Sequence, residues 1–377
     1  MSFRGLTWDH PRGRAALQAA NGPVTWDVQP LEGFESAPIA ENCAAYDLVV
    51  LDHPHLGEAL NAGCLKPLDE VFDAGTLAAI TGNAIGRSLE SYEMAGRLWA
   101  LPLDAATQVM ALRPDLIGTV PASWQEVREL ARQDGRVGLS LAGPHAFLSF
   151  LSVAQALQPE MDLREGDRWV PDATAEEALT LLAELTRLTP PETLALNPIG
   201  LLDYMSGHDG LALCPLVYGY VNYAERARAH PIDFHDAPRF GAGAPGSILG
   251  GTGIAVSKHC TVTDALRDHL LWLMDPETQS GFIPAHEGQP SARGAWNSDR
   301  VNAPVGGFYH NTKDTLEAAS IRPRHDGYIA FQTEASAVLR EGFAAGMSEA
   351  RLARKLAELF ARSQEAGAPG EKTEEKT

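Results

Sequence analysis

The sequence is poor in cysteine, and the cysteines it has form no recognisable pattern. The four that are present lie far apart, with no CxxC pair, at Cys43, Cys64, Cys214 and Cys260. Zinc-binding domains place their cysteines in close pairs, so we expect neither a zinc site nor any other metal or cofactor. A chain of this size needs no disulfide framework, although the sequence leaves a single disulfide open.

The sequence also lacks long apolar runs and an excess of basic residues. Its longest apolar stretches fall well short of the ~20 residues that a membrane helix needs, so we expect no membrane insertion. Acidic residues number 49 against 30 basic ones, which gives a formal charge of −19. Nucleic acids and anionic membrane surfaces attract basic patches, so we expect neither as a partner. The sequence as written starts with no charged and apolar export signal.

The remaining composition is that of an ordinary soluble, globular protein. Apolar residues make up 45% of the chain and charged residues 21%. A length of 377 residues is too large for one small core and favours two lobes. The polar and acidic end of the chain, EKTEEKT, predicts a disordered tail over 365–377.

The first fifty residues predict strands that alternate with helices. The strands are FRGLTW, VTWDVQP and YDLVVLD, and a short helix is expected in FESAPIAENCAA between the last two. The unbroken apolar run of YDLVVLD is typical of a strand that is covered on both faces. This order of elements predicts an α/β fold with a parallel sheet and right-handed crossovers.

The same three residues, Asp-His-Pro, follow two of these strands. They occur as Asp9-His10-Pro11 and again as Asp52-His53-Pro54. Ligands of parallel α/β sheets bind beyond the carboxyl ends of the strands, so both copies are predicted to face one cleft. A purely structural interpretation stays open beside it, because proline ends strands and aspartate caps the helix that follows.

Later segments give four further predictions of local structure. RLWALPLDAATQVMALRPDL predicts two strands that are interrupted at Pro102. PASWQEVRELARQDG predicts a helix with Ser123 as N-cap and Glu126 as its capping-box partner. RVGLSLAG, residues 136–143, predicts a strand. TAEEALTLLAELTRLTPP predicts an amphipathic helix that begins at Thr174 and ends at two prolines.

Nine stretches follow one another in the order and spacing of a known family. They are YDLVVLD, AGCLKPLDEVF, GRLWALPLD, PASWQEVRELA, DGLALCPLVYG, GGTGIAVSKH, LLWLMDPETQSGF, GQPSARGAW and IRPRHDGYIAF. Through them the chain resembles the family 1 extracellular solute-binding proteins of ABC importers, which have the type 2 periplasmic-binding-protein fold. The matching stretches extend over nearly the whole chain.

The resemblance implies two α/β lobes that are joined by hinge-crossing strands and close on a solute by hinge bending. Lobe 1 is expected to combine 1–105 with 246–310, and lobe 2 to comprise 106–245. Helices over 311–364 are expected to lie across both lobes. The resemblance also implies a monomer that delivers its solute to an ABC permease. It implies a periplasmic location, or a cytoplasmic one if the start without a leader is genuine.

Mapped on this fold, polar and aromatic residues at strand ends, helix starts and crossings are expected to line the cleft. The predicted ligand-binding residues are Trp8, Asp9, His10, Arg12, Asp52, His53, Asp104, Gln108, His145, Tyr218, Tyr220, Gly251, Thr252, Glu287 and Arg293. Hydroxyl-binding carboxylates, amides and arginines beside an aromatic ring suit a sugar or polyol.

Two other solute classes stay open at this point. Asp9, Asp52 and Asp104 together would suit a cationic solute. Arg12 and Arg293 would suit a carboxylate or a phosphate. The residue types alone do not decide among neutral, cationic and anionic solutes.

The Asp-His pairs also raise the possibility of chemistry in the cleft. A cytoplasmic enzyme on this fold would use His10, Asp9, His53 and Asp52 as acid and base, with a histidine poised near neutral pH. A metal on the same residues is disfavoured, because the HPH spacing is not a known ligand spacing. A cytoplasmic ligand sensor is the third alternative.

Overall fold

A computed structural model describes residues 2–164 and 169–367 of the chain. The predicted disordered tail, 365–377, lies outside these residues from 368 onward. The strands are β1 (Phe3–Trp8), β2 (Val24–Gln29), β3 (Leu48–Leu51), β4 (Leu65–Lys66), β5 (Glu93–Met94), β6 (Arg97–Leu98), β7 (Ala100–Leu112), β8 (Leu213–Tyr218), β9 (Asp233–His235) and β10 (Leu249–Ser257).

Helices connect and cover these strands. The α-helices are α1 (Pro11–Ala19), α2 (Leu31–Ser36), α3 (Ile39–Ala45), α4 (Leu56–Asn61), α5 (Ala74–Thr81), α6 (Trp124–Gln133), α7 (His145–Leu157), α8 (Asp172–Leu188), α9 (Pro198–Gly207), α10 (Asp264–Met274), α11 (Ile283–Ala285), α12 (Arg293–Trp296), α13 (Asp299–Asn302), α14 (Phe308–Ala318), α15 (Tyr328–Ala344) and α16 (Glu349–Gly367). Short 3-10 turns occur at His53–His55, Leu68–Glu70, Glu90–Tyr92, Pro191–Thr193, Val221–Ala224 and Ala303–Val305, and a π-helical turn at Thr278–Phe282. None of the described helices is long and apolar enough to cross a membrane.

The central sheet has the strand order β2-β1-β3-β10-β7-β8. β1 runs parallel to both β2 and β3, which confirms the predicted parallel start of the sheet. β10 returns antiparallel between β3 and β7. Two short strands lie off this path, β4 beside β10 and β9 beside β7. The carboxyl ends of β1 and β3 therefore lie next to each other at one edge of the sheet.

β7 belongs to both halves of this sheet. Its first part, residues 100–107, pairs with β10, and its second part, residues 108–112, pairs with β8 and β9. A single strand thus crosses from one half of the molecule to the other, as expected of the two-lobe α/β fold, and the predicted fold class is confirmed. The lobe boundaries at 105/106 and 245/246 stay a prediction.

The predicted interruption at Pro102 is wrong, because β7 continues through it. Proline has no N–H to donate to a neighbouring strand and is usually confined to strand edges and bulges. Beside Pro102 the register between β7 and β10 shifts, because Thr252 pairs with Asp104 and Gly253 with Pro102, which leaves Leu103 of β7 as the extra residue. This bulge in β7 accommodates the proline, so the strand does not end there.

Two of the other local predictions are also corrected. The predicted strand over 136–143 does not form, and only Val137 bridges to Leu213 of β8. The predicted N-cap Thr174 lies inside α8, which starts two residues earlier at Asp172, directly after Pro171. Proline fixes the backbone angle for a helix start more strongly than a threonine hydroxyl can.

The predicted start of α6 is confirmed in detail. Ser123 is the N-cap, and its hydroxyl accepts a hydrogen bond of 3.2 Å from the backbone N–H of Glu126. The Glu126 carboxylate in turn accepts the backbone N–H of Ser123 at 3.1 Å. This reciprocal capping box fixes where the helix begins.

The last helices join the two halves of the sheet. α15 contacts α7 and α16 on one side, and α2 and the turn at His53–His55 on the other. Its buried residues Tyr328, Phe331 and Leu339 belong to a core that also contains residues of α6, α7, α8 and α16. α15 therefore lies against elements from both ends of the cleft that is described next.

Candidate ligand-binding cleft

A pocket of about 430 Å³, including space open to solvent, lies where the carboxyl ends of β1 and β3 approach α7 and the end of β8. We call it the cleft pocket. Its walls come from six separate regions of the chain. The lining residues are Trp8, Arg12, Leu31, Phe34, Glu35, Asp52, His145, Tyr218, Tyr220, Gly250, Gly251 and Thr252.

The structure brings eight of the predicted site residues together around this pocket. They are Trp8, Arg12, Asp52, His145, Tyr218, Tyr220, Gly251 and Thr252. Asp104 lies beside them, where it lines an adjoining cavity of about 330 Å³ that shares Arg12 and Thr252 with the cleft pocket. Residues from both halves of the sheet therefore converge on one site.

Three predicted residues do not line the cleft pocket and have partners of their own elsewhere. Asp9 is exposed and accepts a hydrogen bond of 2.8 Å from Arg14. Glu287 is exposed and accepts the side-chain amide of Asn222, and Arg293 forms an ion pair with Glu317. 

Three other predicted residues are buried close to the pocket without lining it. The Gln108 amide is enclosed by Ser149 and Ser152 of α7, with a hydrogen bond of 2.6 Å from the Ser152 hydroxyl. His10 and His53 are buried at the ends of β1 and β3. These side chains support the walls of the pocket from behind.

Aromatic rings form one wall of the pocket. The Trp8 ring stacks on Phe34 of α2 with ring centres 5.6 Å apart, and on His10 at 5.5 Å. Tyr220 meets Trp8 and His10 with its edge, at 6.1 and 4.8 Å. Such rings offer an apolar face to the carbon atoms of a solute.

A buried ion pair forms the floor of the pocket. Arg12 binds Asp104 through two parallel hydrogen bonds of 2.7 and 2.5 Å, and both residues are less than a tenth exposed. A third Arg12 hydrogen bond of 3.0 Å reaches the backbone oxygen of Gly219, just after β8. Burial raises the pKa of Asp104 although Arg12 opposes that shift, and Asp104 in turn raises the pKa of the Arg12 guanidinium, so the arginine stays charged.

A second ion pair holds Asp52 in the wall. Its carboxylate pairs with Arg322, which lies between α14 and α15 and also donates from its side chain to Gln332. Burial alone would raise the pKa of Asp52, but the Arg322 guanidinium outweighs burial and keeps it below its usual value. The backbone N–H of Arg322 donates to Nε2 of His53 at 3.2 Å. The His53 proton then lies on Nδ1, 3.1 Å from Asp52 Oδ1.

Polar groups without a protein partner complete the lining. The buried hydroxyl of Tyr218 and both ring nitrogens of His145 have no aligned hydrogen-bond partner in the described part of the chain. His145 starts α7 and its Nε2 lies 3.3 Å from the carboxylate of Glu35 in α2, across the cleft. Buried polar groups are costly unless they are hydrogen-bonded, so these groups are suited to a polar ligand.

Only the second Asp-His-Pro sequence has both of its predicted roles. Asp52 caps the turn at His53–His55 by accepting the backbone N–H of His53 at 2.8 Å, and it also lines the cleft pocket. In the first sequence the predicted cap is wrong, because His10 and not Asp9 is the N-cap of α1, where it accepts the backbone N–H of Arg12 at 3.1 Å. His10 stacks on the Trp8 ring, and Asp9 lies outside the pocket.

Solved structures of similar architecture identify the fold. An ABC transporter solute-binding protein from Agrobacterium radiobacter K84, in complex with ribitol, is 18% identical with a TM-score of 0.74 over 97% of this chain and 98% of that chain. The sugar-binding protein MalE from Xanthomonas citri is 18% identical with a TM-score of 0.73, over 97% and 99% of the two chains. The chain has the fold of ABC transporter solute-binding proteins.

A third solute-binding protein of this fold extends the comparison to another organism. The protein from Thermotoga lettingae TMO, bound to α-D-tagatose, is 12% identical with a TM-score of 0.78, over 96% of this chain and 99% of that one. No protein-family model matches the chain. The fold expected from the sequence resemblance is confirmed by the comparison of structures, over almost the full length of both chains.

The buried histidines of this solute-binding-protein fold are not poised near neutral pH. Burial, together with the nearby Arg12, lowers the pKa of His10 to about 3. Burial, together with Arg322, lowers the pKa of His53 to about 4, although Asp52 opposes the shift. Both rings are therefore neutral at physiological pH, and neither offers a proton there. The described residues also contain no group of three or more His, Cys, Asp or Glu side chains placed to hold a metal ion.

We expect the low pKa of His53 to make the protein less stable in acid. Unfolded His53 takes up a proton below pH 6.5, whereas folded His53, with a pKa of about 4, stays neutral. The free energy of unfolding should therefore fall by about 3 kcal/mol as the pH drops from 6.5 to 4 on account of this residue. In His53→Gln the amide oxygen can still accept the Arg322 N–H. Denaturant unfolding between pH 6.5 and 4 should therefore show a free energy of unfolding that changes less with pH in this variant than in the wild type.

The control for this experiment is His259→Gln, because the His259 side chain is 51% exposed. It should leave the slope of stability against pH unchanged. Equal slopes for the wild type and His53→Gln would contradict the assignment of a low pKa to His53.

Sequence reasoning missed four residues of the site. Leu31, Phe34 and Glu35 of α2 line the pocket, and Arg322 holds Asp52. Leu31, Phe34 and Glu35 follow the carboxyl end of β2 at the spacing of one helix face. The pattern that predicted a short helix in this region would also have indicated that these residues share a face. No local signal indicates Arg322, because its partner is more than two hundred residues away.

Proposed function

We propose that the protein binds a small, neutral, hydroxyl-rich solute, a polyol or a monosaccharide, in the cleft pocket. We further propose that it acts as the substrate-binding component of an ABC importer. The observation that carries the proposal is the lining of the pocket. Elements from both halves of the sheet surround it, an aromatic wall flanks it, and the Tyr218 hydroxyl and Nδ1 of His145 have no hydrogen-bond partner in the described part of the chain.

The balance of charge around the pocket favours a neutral solute. Asp104 is neutralised by Arg12, and Asp52 by Arg322. The carboxylates proposed for a cation are therefore already paired, and Asp9 lies outside the pocket. The pairing with Asp104 also occupies Arg12, so Arg12 does not offer a free charge to an anionic solute. Paired charges still donate and accept hydrogen bonds, which suits hydroxyl groups.

The similar structures favour a solute of one sugar ring or one short polyol chain. The pocket volume of about 430 Å³ includes space open to solvent, and the space into which a water-sized sphere fits measures about 60 Å³, so hinge bending would have to widen the pocket to admit such a solute. Two of the similar structures hold ribitol and α-D-tagatose, which are solutes of this size. The Trp8 and Phe34 rings would cover the apolar face of such a molecule while its hydroxyls meet the polar lining.

The acid–base alternative receives less support from the site. Catalysis by an Asp-His pair needs a histidine that changes protonation near the working pH. The pKa of His10 is lowered to about 3 and that of His53 to about 4, and their rings are engaged in capping and in a backbone hydrogen bond. Binding without chemistry accounts for these residues more simply.

Release and delivery would depend on hinge motion. β7 and β10 cross between the two halves of the sheet, and bending at these crossings would open the pocket. A solute that contacts both sides stabilises the closed arrangement, which an ABC permease would recognise. We therefore propose a location outside the cytoplasmic membrane with an ABC permease as the partner, and the likeness to solute-binding proteins supports this.

The test is a thermal-shift screen followed by calorimetry. The panel contains ribitol, mannitol, tagatose and maltose, with putrescine and citrate as charged controls. A neutral polyol or monosaccharide should raise the melting temperature and be recovered unchanged from the complex, since a ligand at a hundred times its Kd stabilises by about 2.7 kcal/mol. Stabilisation by putrescine or citrate alone, or conversion of the bound solute, would overturn the proposal.

Removing the Tyr218 hydroxyl should weaken solute binding without destabilising the fold. In Tyr218→Phe the lost hydroxyl has no protein partner, so we expect the free energy of unfolding to change little. The Kd should rise about tenfold, because a hydrogen bond between neutral groups contributes about 0.5–1.5 kcal/mol. Calorimetry with the best solute of the screen measures the change.

Tyr328→Phe is the matched control for this variant. The Tyr328 hydroxyl is also buried without an aligned partner in the described chain, but Tyr328 does not line the cleft pocket. Its Kd should equal that of the wild type. If both variants weaken binding equally, the Tyr218 hydroxyl does not contact the solute.

A further inference from the structure

A separate pocket lies between the last turns of α8 and α15, and it shares no lining residue with the cleft pocket. We call it the arginine pocket. Its volume is about 840 Å³ including space open to solvent, and the space into which a water-sized sphere fits measures about 390 Å³. The second value is within the roughly 300–1,000 Å³ that is usual for ligand pockets. Leu141, Leu194 and Phe343 form its apolar wall, and the ionisable residues among those described that line it are Arg187 and Arg340.

The charge of the arginine pocket is positive, in a chain whose formal charge is −19. Neither Arg187 nor Arg340 forms an ion pair with a carboxylate of residues 2–164 or 169–367. Glu341 follows Arg340 in sequence but does not line the pocket. Glu184, one turn before Arg187 on α8, is already paired with Arg128 at 2.6 Å. The two guanidinium groups therefore lack a compensating charge in the described structure.

Arg340 is anchored at one end of its guanidinium group. Its Nη1 donates to the backbone oxygens of Leu141 and Gly143, and to the Ser336 hydroxyl at 3.0 Å. Nε and Nη2 of Arg340 make no hydrogen bond to the described residues, so both donors are available to a ligand. Burial lowers the pKa of Arg340, although Glu341 opposes that shift. A partly buried cation of this kind is stabilised by an anion beside it.

The hydroxyl groups of the arginine pocket are occupied by the backbone. The Thr186 hydroxyl donates to Leu182 at 2.7 Å, and the Thr189 hydroxyl donates to Leu185 at 2.9 Å. Both protons are therefore used within α8 and its end, and the guanidinium groups supply the remaining side-chain donors of the lining. A hydroxyl-rich solute suits this pocket less well than an anion does.

We propose that the arginine pocket is a second binding site, and that its ligand is a monocarboxylate with an apolar chain or ring. The two oxygens of a carboxylate match the parallel donors of a guanidinium group, so Arg340 and Arg187 would hold the charged end. Leu194 and Phe343 are partly buried and would cover the apolar part. This site is independent of the solute that the cleft binds.

The test is calorimetric titration of the purified full-length chain with octanoate as the probe. Acetate and 1-octanol are the matched controls, because acetate lacks the apolar chain and 1-octanol lacks the charge. Octanoate should bind at one site per chain and about tenfold more tightly than either control. Added salt should weaken its binding by screening the charges. Equal affinities for octanoate and 1-octanol, or no binding of octanoate at millimolar concentration, would overturn the proposal.

Three variants locate the bound octanoate. Arg187 is exposed, so Arg187→Gln should fold normally and raise the Kd for octanoate about tenfold without changing that for 1-octanol. Ala344→Trp fills the pocket from the exposed end of α15 and should abolish octanoate binding while both arginines remain. Arg354→Gln, at an exposed position of α16 outside the pocket, should bind octanoate like the wild type.

Two outcomes of these titrations would overturn the proposal. An unchanged Kd for octanoate in Arg187→Gln would show that the carboxylate is not held in the arginine pocket. Equal weakening in Arg187→Gln and Arg354→Gln would show a general effect of surface charge. If Ala344→Trp fails to fold, the comparison of these two arginine variants decides alone.

Discussion

Arg12→Met should destabilise the protein by about 3–5 kcal/mol. The substitution leaves the Asp104 carboxylate buried, 6% exposed, without the two hydrogen bonds that now satisfy it. It also removes the hydrogen bond to Gly219, which links α1 to the end of β8. Urea unfolding of the purified variant measures the loss, and solute affinity should fall with it because Arg12 lines the cleft pocket.

Two further variants separate the buried charge from the lost packing. Combining Arg12→Met with Asp104→Leu removes both charges, so most of the stability should return, as is often found when a buried ion pair is replaced by apolar residues. Arg14→Met is the control, because its partner Asp9 has a side chain that is 58% exposed. Exposed pairs contribute about 0–1 kcal/mol. An Arg12 variant as stable as the Arg14 variant would contradict the role assigned to the pair.

Gly251→Ala should be the most damaging small substitution in the pocket wall. Gly251 has a φ of +99°, which is strained for any residue with a side chain, and it pairs with Ala105 of β7 close to the bulge at Leu103. An added Cβ would lie 2.3 Å from the backbone oxygen of Asp104, which cannot move without parting the strands. Strain and overlap together should cost roughly 2–6 kcal/mol of stability. Thermal and urea unfolding provide the measurement.

Gly63→Ala provides the matched control for this variant. Gly63 also has a positive φ, +58°, but an added Cβ there would meet nothing within 4 Å. Gly63→Ala should lower the free energy of unfolding by only about 1 kcal/mol, because the left-handed backbone conformation alone opposes a side chain there. If the two variants are equally stable, close packing between β7 and β10 is not what requires glycine at Gly251.

The strands that carry the fold could be predicted because each is an apolar run ended by polar residues. β1, β2 and β3 all lie where the sequence predicts them. The prediction of local structure is wrong where pairing with another segment decides the outcome. Pro102 continues a strand because β7 bulges at Leu103, where it pairs with β10, and 136–143 stays irregular although its composition suits a strand. Such partners cannot be read from the segment itself.

The site was predictable as far as strand topology fixes it. Trp8 and Asp52 lie together because β1 and β3 are adjacent and parallel, which the order of elements implies. The sequence could not show which charges neutralise each other. The pairing of Asp52 with Arg322 joins residues that are far apart in the chain, and only the folded structure reveals that it neutralises Asp52.

The strand shared by both halves of the sheet also constrains how such a protein can change by recombination. The chain builds β1 to β3, leaves through β7, and comes back through β10 to finish the same half. The segment between these crossings is contiguous, but α15 and α16, near the end of the chain, complete its hydrophobic core. Both halves are therefore divided between separate stretches of the gene, and neither can be inherited as one cassette. Diversity in the walls of the pocket should therefore be acquired more readily by point substitution than by exchange of a half.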